Sequence, residues 1–173
     1  DRGKVMTYEM LEKGKDFGRY LDVDGDGVPF RTYPGTHPTR GGYFTRGTTK
    51  DRYARYSEAG PDYVDNVQRL LRKFDTAKQL VPRPQLYPAG KPARFGAIFY
   101  GSTSPAMQEA MDVLAERGIH VNALRVRAFP FQEEINDFVS SHPWVFVIEQ
   151  NRDAQLKSLL VNDAKVNPSR LLS

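Results

Sequence analysis

Three short apolar runs constrain this chain more than any other feature. FGAIFY (Phe95–Tyr100), VNALRV (Val121–Val126) and WVFVIEQ (from Trp144) follow one another after Arg94, separated by stretches of helical periodicity. The runs are nearly continuous in apolar residues, the pattern of strands buried on both faces of a parallel sheet. Between the first two, Met107, Ala110, Met111, Leu114 and Ala115 fall on one helical face. Ser104 is placed to cap that helix, Pro105 suits its first turn, and Gly118 closes it. Phe131 to Ser141 repeats the pattern with Ile135, Phe138 and Val139, and Ala154 to Ala164 with Leu156, Leu159 and Leu160. Alternating strands and helices of this length predict right-handed crossovers and a doubly wound, mostly parallel α/β sheet.

The first half is different in kind. Most of the twelve prolines lie between Pro29 and Pro92, which predicts a loop-rich segment. Asp1 to about Lys15 reads as a charged, helical lead-in. Asp62 to Leu80 is the clearest helix, because Val64, Val67, Leu70, Leu71, Phe74 and Ala77 form one apolar stripe. VPRPQLYPAGKP then reads as a linker, so the predicted boundary lies at 92/93.

YLDVDGDGVPFRTY (Tyr20–Tyr33) raises the question of a metal site. A Ca²⁺ loop of D-x-D-x-D-G type ends in a bidentate glutamate at its twelfth position. Counted from Asp22, that position is Tyr33, which cannot chelate. Gly25–Asp26–Gly27 also matches the Gly-Asp-Gly of thiamine-diphosphate enzymes, which needs an asparagine further on to complete a Mg²⁺ shell. The next asparagine is Asn66, beyond the expected window. The third reading is a hairpin, with Leu21 and Val23 facing Val28, Phe30 and Thr32 across an Asp-Gly turn, and a weak metal site stays open beside it.

Composition excludes several classes. The chain has no cysteine, hence no disulfide, thiolate metal site or iron–sulfur cluster of its own. It has no apolar run long enough to span a bilayer. Its 25 basic residues are interleaved with 21 acidic ones, giving a net charge of only +4. That spread argues against a nucleic-acid footprint, and an anionic small substrate explains local arginines as well. His37 lies in the loop, His120 leads into a strand and His142 precedes Pro143; no two have metal-ligand spacing. YGSTSP at the end of the first strand offers either N–H groups to an anion or a self-capped turn. The start DRGKVMTYEM and the end NPSRLLS read as the interior of a longer chain.

The blocks DVDGDGVPFRTYPGTHPTRGGYFTRGT, YVDNVQRLLRKFDTAK, GSTSPAMQEA, RVRAFPF and VIEQNRDAQL, in that order, resemble the alpha subunit of 2-oxoglutarate:ferredoxin oxidoreductases. These belong to the thiamine-diphosphate-dependent 2-oxoacid:acceptor oxidoreductase family. The resemblance runs from about Tyr8 to Leu172. It implies that residues 93–173 form a transketolase-C-terminal-like domain, and that 1–92 trail a pyrimidine-binding domain as hairpin, long loop and connecting helix. It further implies a cytoplasmic complex that turns a 2-oxoacid, coenzyme A and oxidised ferredoxin into an acyl-CoA, CO₂ and reduced ferredoxin. In that family thiamine diphosphate, Mg²⁺ and the [4Fe–4S] cluster are held by a beta subunit and an upstream domain. This chain is therefore expected to bind none of them, and to be inactive alone. 2-Oxoglutarate is the expected substrate, with pyruvate or a branched-chain 2-oxoacid as the alternative, and a non-enzymatic α/β binding module as the competing class. A charge argument, not a family motif, singles out Arg40 and Arg46, with Thr36 and His37 beside them, for a distal carboxylate.

Overall fold

The computed structural model describes residues 3–14, 17–47 and 49–173. Of the expected lead-in helix over residues 1–15, residues 1–2 and 15 lie outside the described residues; among the rest only Tyr8–Glu12 is helical, and Val5 bridges to Arg31 instead. The chain forms two compact units, Asp1–Ala77 and Lys78–Ser173. Their division falls inside the long helix, upstream of the proline-rich stretch where composition changes.

The second unit is the doubly wound sheet. Its strands are β1 (Gln85–Tyr87), β2 (Phe95–Tyr100), β3 (Val121–Val126), β4 (Trp144–Ile148) and β5 (Leu171–Leu172), ordered β1-β3-β2-β4-β5. β2 runs parallel to β3 and to β4, with Ile98 opposite Leu124 on one side and Val147 on the other. Helix α3 (Ser104–Glu116) connects β2 to β3, α4 (Glu133–Ser140) connects β3 to β4, and α5 (Gln155–Asn162) follows β4.

Strand alternation sends Ala97, Phe99 and Ala123 to the face covered by Met107 of α3. It sends Ile98, Leu124, Val145 and Val147 to the face covered by Ile135, Phe138 and Val139 of α4 and by Leu156 and Leu160 of α5. Ile98, Val145 and Leu160 are wholly buried, each contributing about 1.5–3 kcal/mol of transfer free energy. β1 arises from the proline-rich stretch read as linker, and pairs antiparallel with β3. It is an edge strand between Pro84 and Pro88, where the missing proline N–H groups cost no ladder bond.

The first unit contains α1 (Tyr8–Glu12) and most of α2 (Gly60–Leu80) within irregular backbone. Among its described residues the buried apolar side chains are Met6, Leu11, Pro29 and Ala54, so polar contacts carry much of its organisation. The acidic loop is one of them, and it is not a hairpin. Residues 21–30 form a series of bends without strand pairing, and Arg31 instead makes a parallel bridge to Val5.

Helix α2 forms where the sequence places it, and its apolar stripe faces outward: Leu71 is 61% exposed, Val64 49% and Phe74 48%, whereas Arg69 is the buried residue, at 5%. The inward face is polar because its partner is a loop with carbonyls to satisfy. Arg69 Nη1 donates to the Gly27 carbonyl at 3.1 Å, and Thr76 Oγ1 to that of Asp26 at 2.6 Å.

Candidate functional site

Three aspartates of the acidic loop are neutralised by the chain's own cations. Lys4 Nζ sits 2.6 Å from Asp24 Oδ2 and 2.7 Å from Asp26 Oδ2, where a loop of this spelling would hold a metal. Asp22 Oδ2 accepts from Arg72 Nε and Nη2, both at 3.2 Å, and from the Gly27 N–H at 3.0 Å. Gly27 has φ +76°, and a Cβ there would stand 2.3 Å from the Lys73 nitrogen. The loop is thus pressed onto the backbone of α2. Asp26 is committed to Lys4 and to the Val28 N–H, and Gly27 has no room on its α2 side. The Gly-Asp-Gly stretch does not fit a diphosphate–Mg²⁺ site, and among the described residues no cluster of three metal-ligating side chains occurs.

The loop that follows brings Thr36, His37 and Arg40 together beside α1. Thr36 Oγ1 closes a turn with the Tyr33 N–H and carbonyl. The backbone N–H groups of Thr39 and Arg40 both donate to His37 Nδ1, at 3.1 and 2.9 Å. The proton therefore resides on Nε2, which donates to Glu12 Oε1 at 2.6 Å. This bond, before any other influence, holds the Glu12 carboxyl below its ordinary pKa. The His37 ring also stacks on Tyr8, with centroids 4.9 Å apart.

Arg40 Nη1 donates to the Leu11 carbonyl at 2.7 Å and that of Glu12 at 3.2 Å. It thereby satisfies carbonyls at the end of α1, as a cation at a helix C-terminus does. Part of its guanidinium is thus used structurally. Beside it lies a hollow of about 180 Å³ lined by Tyr33, His37, Arg40 and Tyr43. Arg46 is exposed and has no hydrogen-bond or ion-pair partner among the described residues. Its neighbour Thr45 has a buried hydroxyl that is likewise unpartnered.

In the second unit the carboxyl ends of β2 and β4 form the topological switch point, where open α/β sheets place ligands. Glu149 is already occupied there. Its Oε2 accepts from the Leu156 N–H at 2.8 Å and its Oε1 from that of Lys157 at 3.1 Å, capping α5. Gly101–Thr103 form a 3-10 turn, and the N-cap of α3 is Thr103, not Ser104, with no side-chain cap. A crevice of about 390 Å³ opens beside this turn between Tyr100, Arg127, Phe129, Phe131 and Leu159. The sequence reading did not anticipate it, because its walls come from three separate connections.

The second unit has the doubly wound fold of transketolase-C-terminal-like domains, its parallel strands covered by helices on both faces. A solved structure similar to nearly the whole chain is that of a 2-oxoglutarate:ferredoxin oxidoreductase from Magnetococcus marinus with 2-oxoglutarate, coenzyme A and succinyl-CoA bound. The TM-score is 0.76 at 18% identity, over 92% of this chain. The chain spans 28% of the length of that one. No protein-family model and no curated protein matches the sequence.

Proposed function

We propose that this chain is a portion of the alpha subunit of a cytoplasmic thiamine-diphosphate-dependent 2-oxoacid:ferredoxin oxidoreductase acting on 2-oxoglutarate. The observation that carries the reading is the structural likeness over 92% of the chain. The ordered blocks of sequence resemblance point the same way. The reaction joins 2-oxoglutarate, coenzyme A and oxidised ferredoxin to give succinyl-CoA, CO₂ and reduced ferredoxin. Thiamine diphosphate, Mg²⁺ and the [4Fe–4S] cluster belong to other parts of the complex, chiefly a beta subunit. The outward apolar stripe of α2 supports an assembled state, since a row that includes the exposed Val64, Leu70 and Leu71 is the usual mark of an interaction face.

In this reading the loop between Thr36 and Arg46 helps to recognise the substrate. Arg46, with a guanidinium free of partners among the described residues and an unbonded hydroxyl beside it, is the stronger candidate for the distal carboxylate. Arg40 and His37 shape the loop, and Arg40 retains donors toward the adjoining hollow. A carboxylate entering a dry site needs a cation whose charge does not titrate away.

The test is Arg46→Met in the assembled complex, with reduction of a viologen dye as readout. The Michaelis constant for 2-oxoglutarate should rise, by about 2–4 kcal/mol of lost transition-state binding if the pair is buried. Pyruvate turnover should change little. Equal losses on both substrates would remove Arg46 from substrate recognition.

A further inference from the structure

The first unit gathers a set of cations that the proposed reaction does not use. Around the Tyr20 ring stand Lys50 Nζ at 5.4 Å from the centroid, the Arg19 guanidinium at 5.6 Å and that of Arg69 at 5.7 Å. A ring has two faces, so three cations over it place at least two on the same side. The attraction of one aromatic quadrupole does not cancel their mutual repulsion.

Three separate segments bring these groups together. Tyr20 is fixed by its N–H, which donates to the Arg52 carbonyl at 3.0 Å. Gly18 makes that approach possible, since a Cβ there would lie 2.5 Å from the same carbonyl oxygen. Lys50 is held by an antiparallel bridge to Tyr56 and by the Asn66 side chain, which donates to its carbonyl. Arg69 comes from the inward face of α2.

Arg69 is the decisive member. It is 95% buried by the complement of its 5% exposure. Its Nη1 reaches the Gly27 carbonyl, but its Nε is buried with no hydrogen-bond partner among the described residues. A buried guanidinium donor left unbonded is costly. Burial first, and then the charge of Arg19, push its pKa below the ordinary arginine value. Asp22 is the carboxylate that acts against this. Its Oδ2 is engaged by Arg72 and the Gly27 N–H, while its Oδ1 is buried and, like Arg69 Nε, has no hydrogen-bond partner among the described residues; one carboxylate still does not balance Arg19, Lys50, Arg69 and Arg72.

We propose that Arg19, Lys50 and Arg69, arranged about Tyr20, form a binding site for a phosphate group. A phosphate dianion would take the orphaned Nε–H, offer oxygens to Arg19 and Lys50, and relieve the repulsion between them. This inference does not rest on the oxidoreductase reading, because it follows from the first unit alone.

The test is calorimetric titration of the purified chain with inorganic phosphate, in chloride buffer of matched ionic strength, with succinate as a carboxylate control. Saturable one-site binding of phosphate is expected. Arg19→Gln and Lys50→Gln, both at partly exposed positions, should each weaken it roughly tenfold or more, the loss of one charge-assisted contact. Lys91→Gln, in the other unit, should leave it unchanged. Phosphate indistinguishable from chloride, tighter binding of succinate, or equal weakening by Lys91→Gln would each overturn the assignment. If Arg69→Met unfolds the first unit, the two surface variants still decide the matter.

Discussion

Gly27 and Gly25 make a matched pair for testing how the acidic loop is held. Both have positive φ, +76° and +78°, but nothing lies within 4 Å of a Cβ at Gly25, whereas one at Gly27 would meet Lys73 N at 2.3 Å and Arg69 O at 2.6 Å. Alanine at Gly25 should therefore cost only the left-handed backbone penalty, about 1–2 kcal/mol. Alanine at Gly27 pays that and must also lift the loop from α2. Three hydrogen bonds depend on that seating: Arg69 to the Gly27 carbonyl, Thr76 to the Asp26 carbonyl, and the Gly27 N–H to Asp22. At about 0.5–1.5 kcal/mol each, the total for Gly27→Ala is about 2.5–6.5 kcal/mol. The assay is urea unfolding followed by far-ultraviolet circular dichroism. The single tryptophan, Trp144, lies in the second unit, and its fluorescence tracks that unit separately. The Gly27 variant should shift the dichroism transition well beyond the Gly25 variant and leave the tryptophan transition in place. Equal losses for the two variants would refute the argument from close approach, leaving backbone conformation as the whole cost.

Calcium titration of the chain should give no submicromolar site, because Lys4 and Arg72 already neutralise the loop; a rise in melting temperature at micromolar Ca²⁺ would contradict this. The same clasp should respond to pH. Burial alone would raise the Asp26 carboxyl, but Lys4 and the Val28 N–H outweigh it and hold its pKa below the ordinary value. The stabilisation is therefore present above the unfolded carboxylate pKa, and is lost as pH falls through the depressed folded one. Melting curves should show a flatter acid limb in Lys4→Met than in the unaltered chain. Arg40→Met should destabilise the first unit by about 1–2 kcal/mol, through the uncapped carbonyls of Leu11 and Glu12, while Arg46→Met should leave the melting temperature unchanged. Glu149→Ala should cost about 1–3 kcal/mol in the second unit, by stranding two N–H groups at the start of α5.

The parallel sheet was legible from residue order alone, because its strands are mostly apolar runs and each crossover needs a helix of matching length. Phe95–Tyr100, Val121–Val126 and Trp144–Ile148 meet both conditions, although Asn122 and Arg125 interrupt the second run and Trp144 and Phe146 leave one face of the third partly exposed. β1 was not legible: three residues between prolines carry no periodicity, and only the free edge of β3 makes them a strand. Periodicity placed Val64, Leu71 and Phe74 of α2 on one face, but it does not say which way a face turns. That depends on what lies beside the helix, and here the neighbour is an acidic, carbonyl-rich loop that draws in Arg69, Arg72 and Thr76. The same loop spelled a metal site in one dimension. Lys4 lies some twenty residues away from Asp24 in sequence yet 2.6 Å away in space, so folding supplied the cation that the sequence motif left open. The cations around Tyr20 were unreadable for the same reason: they come from three separate segments, and only their convergence leaves a buried donor on Arg69 unpaired.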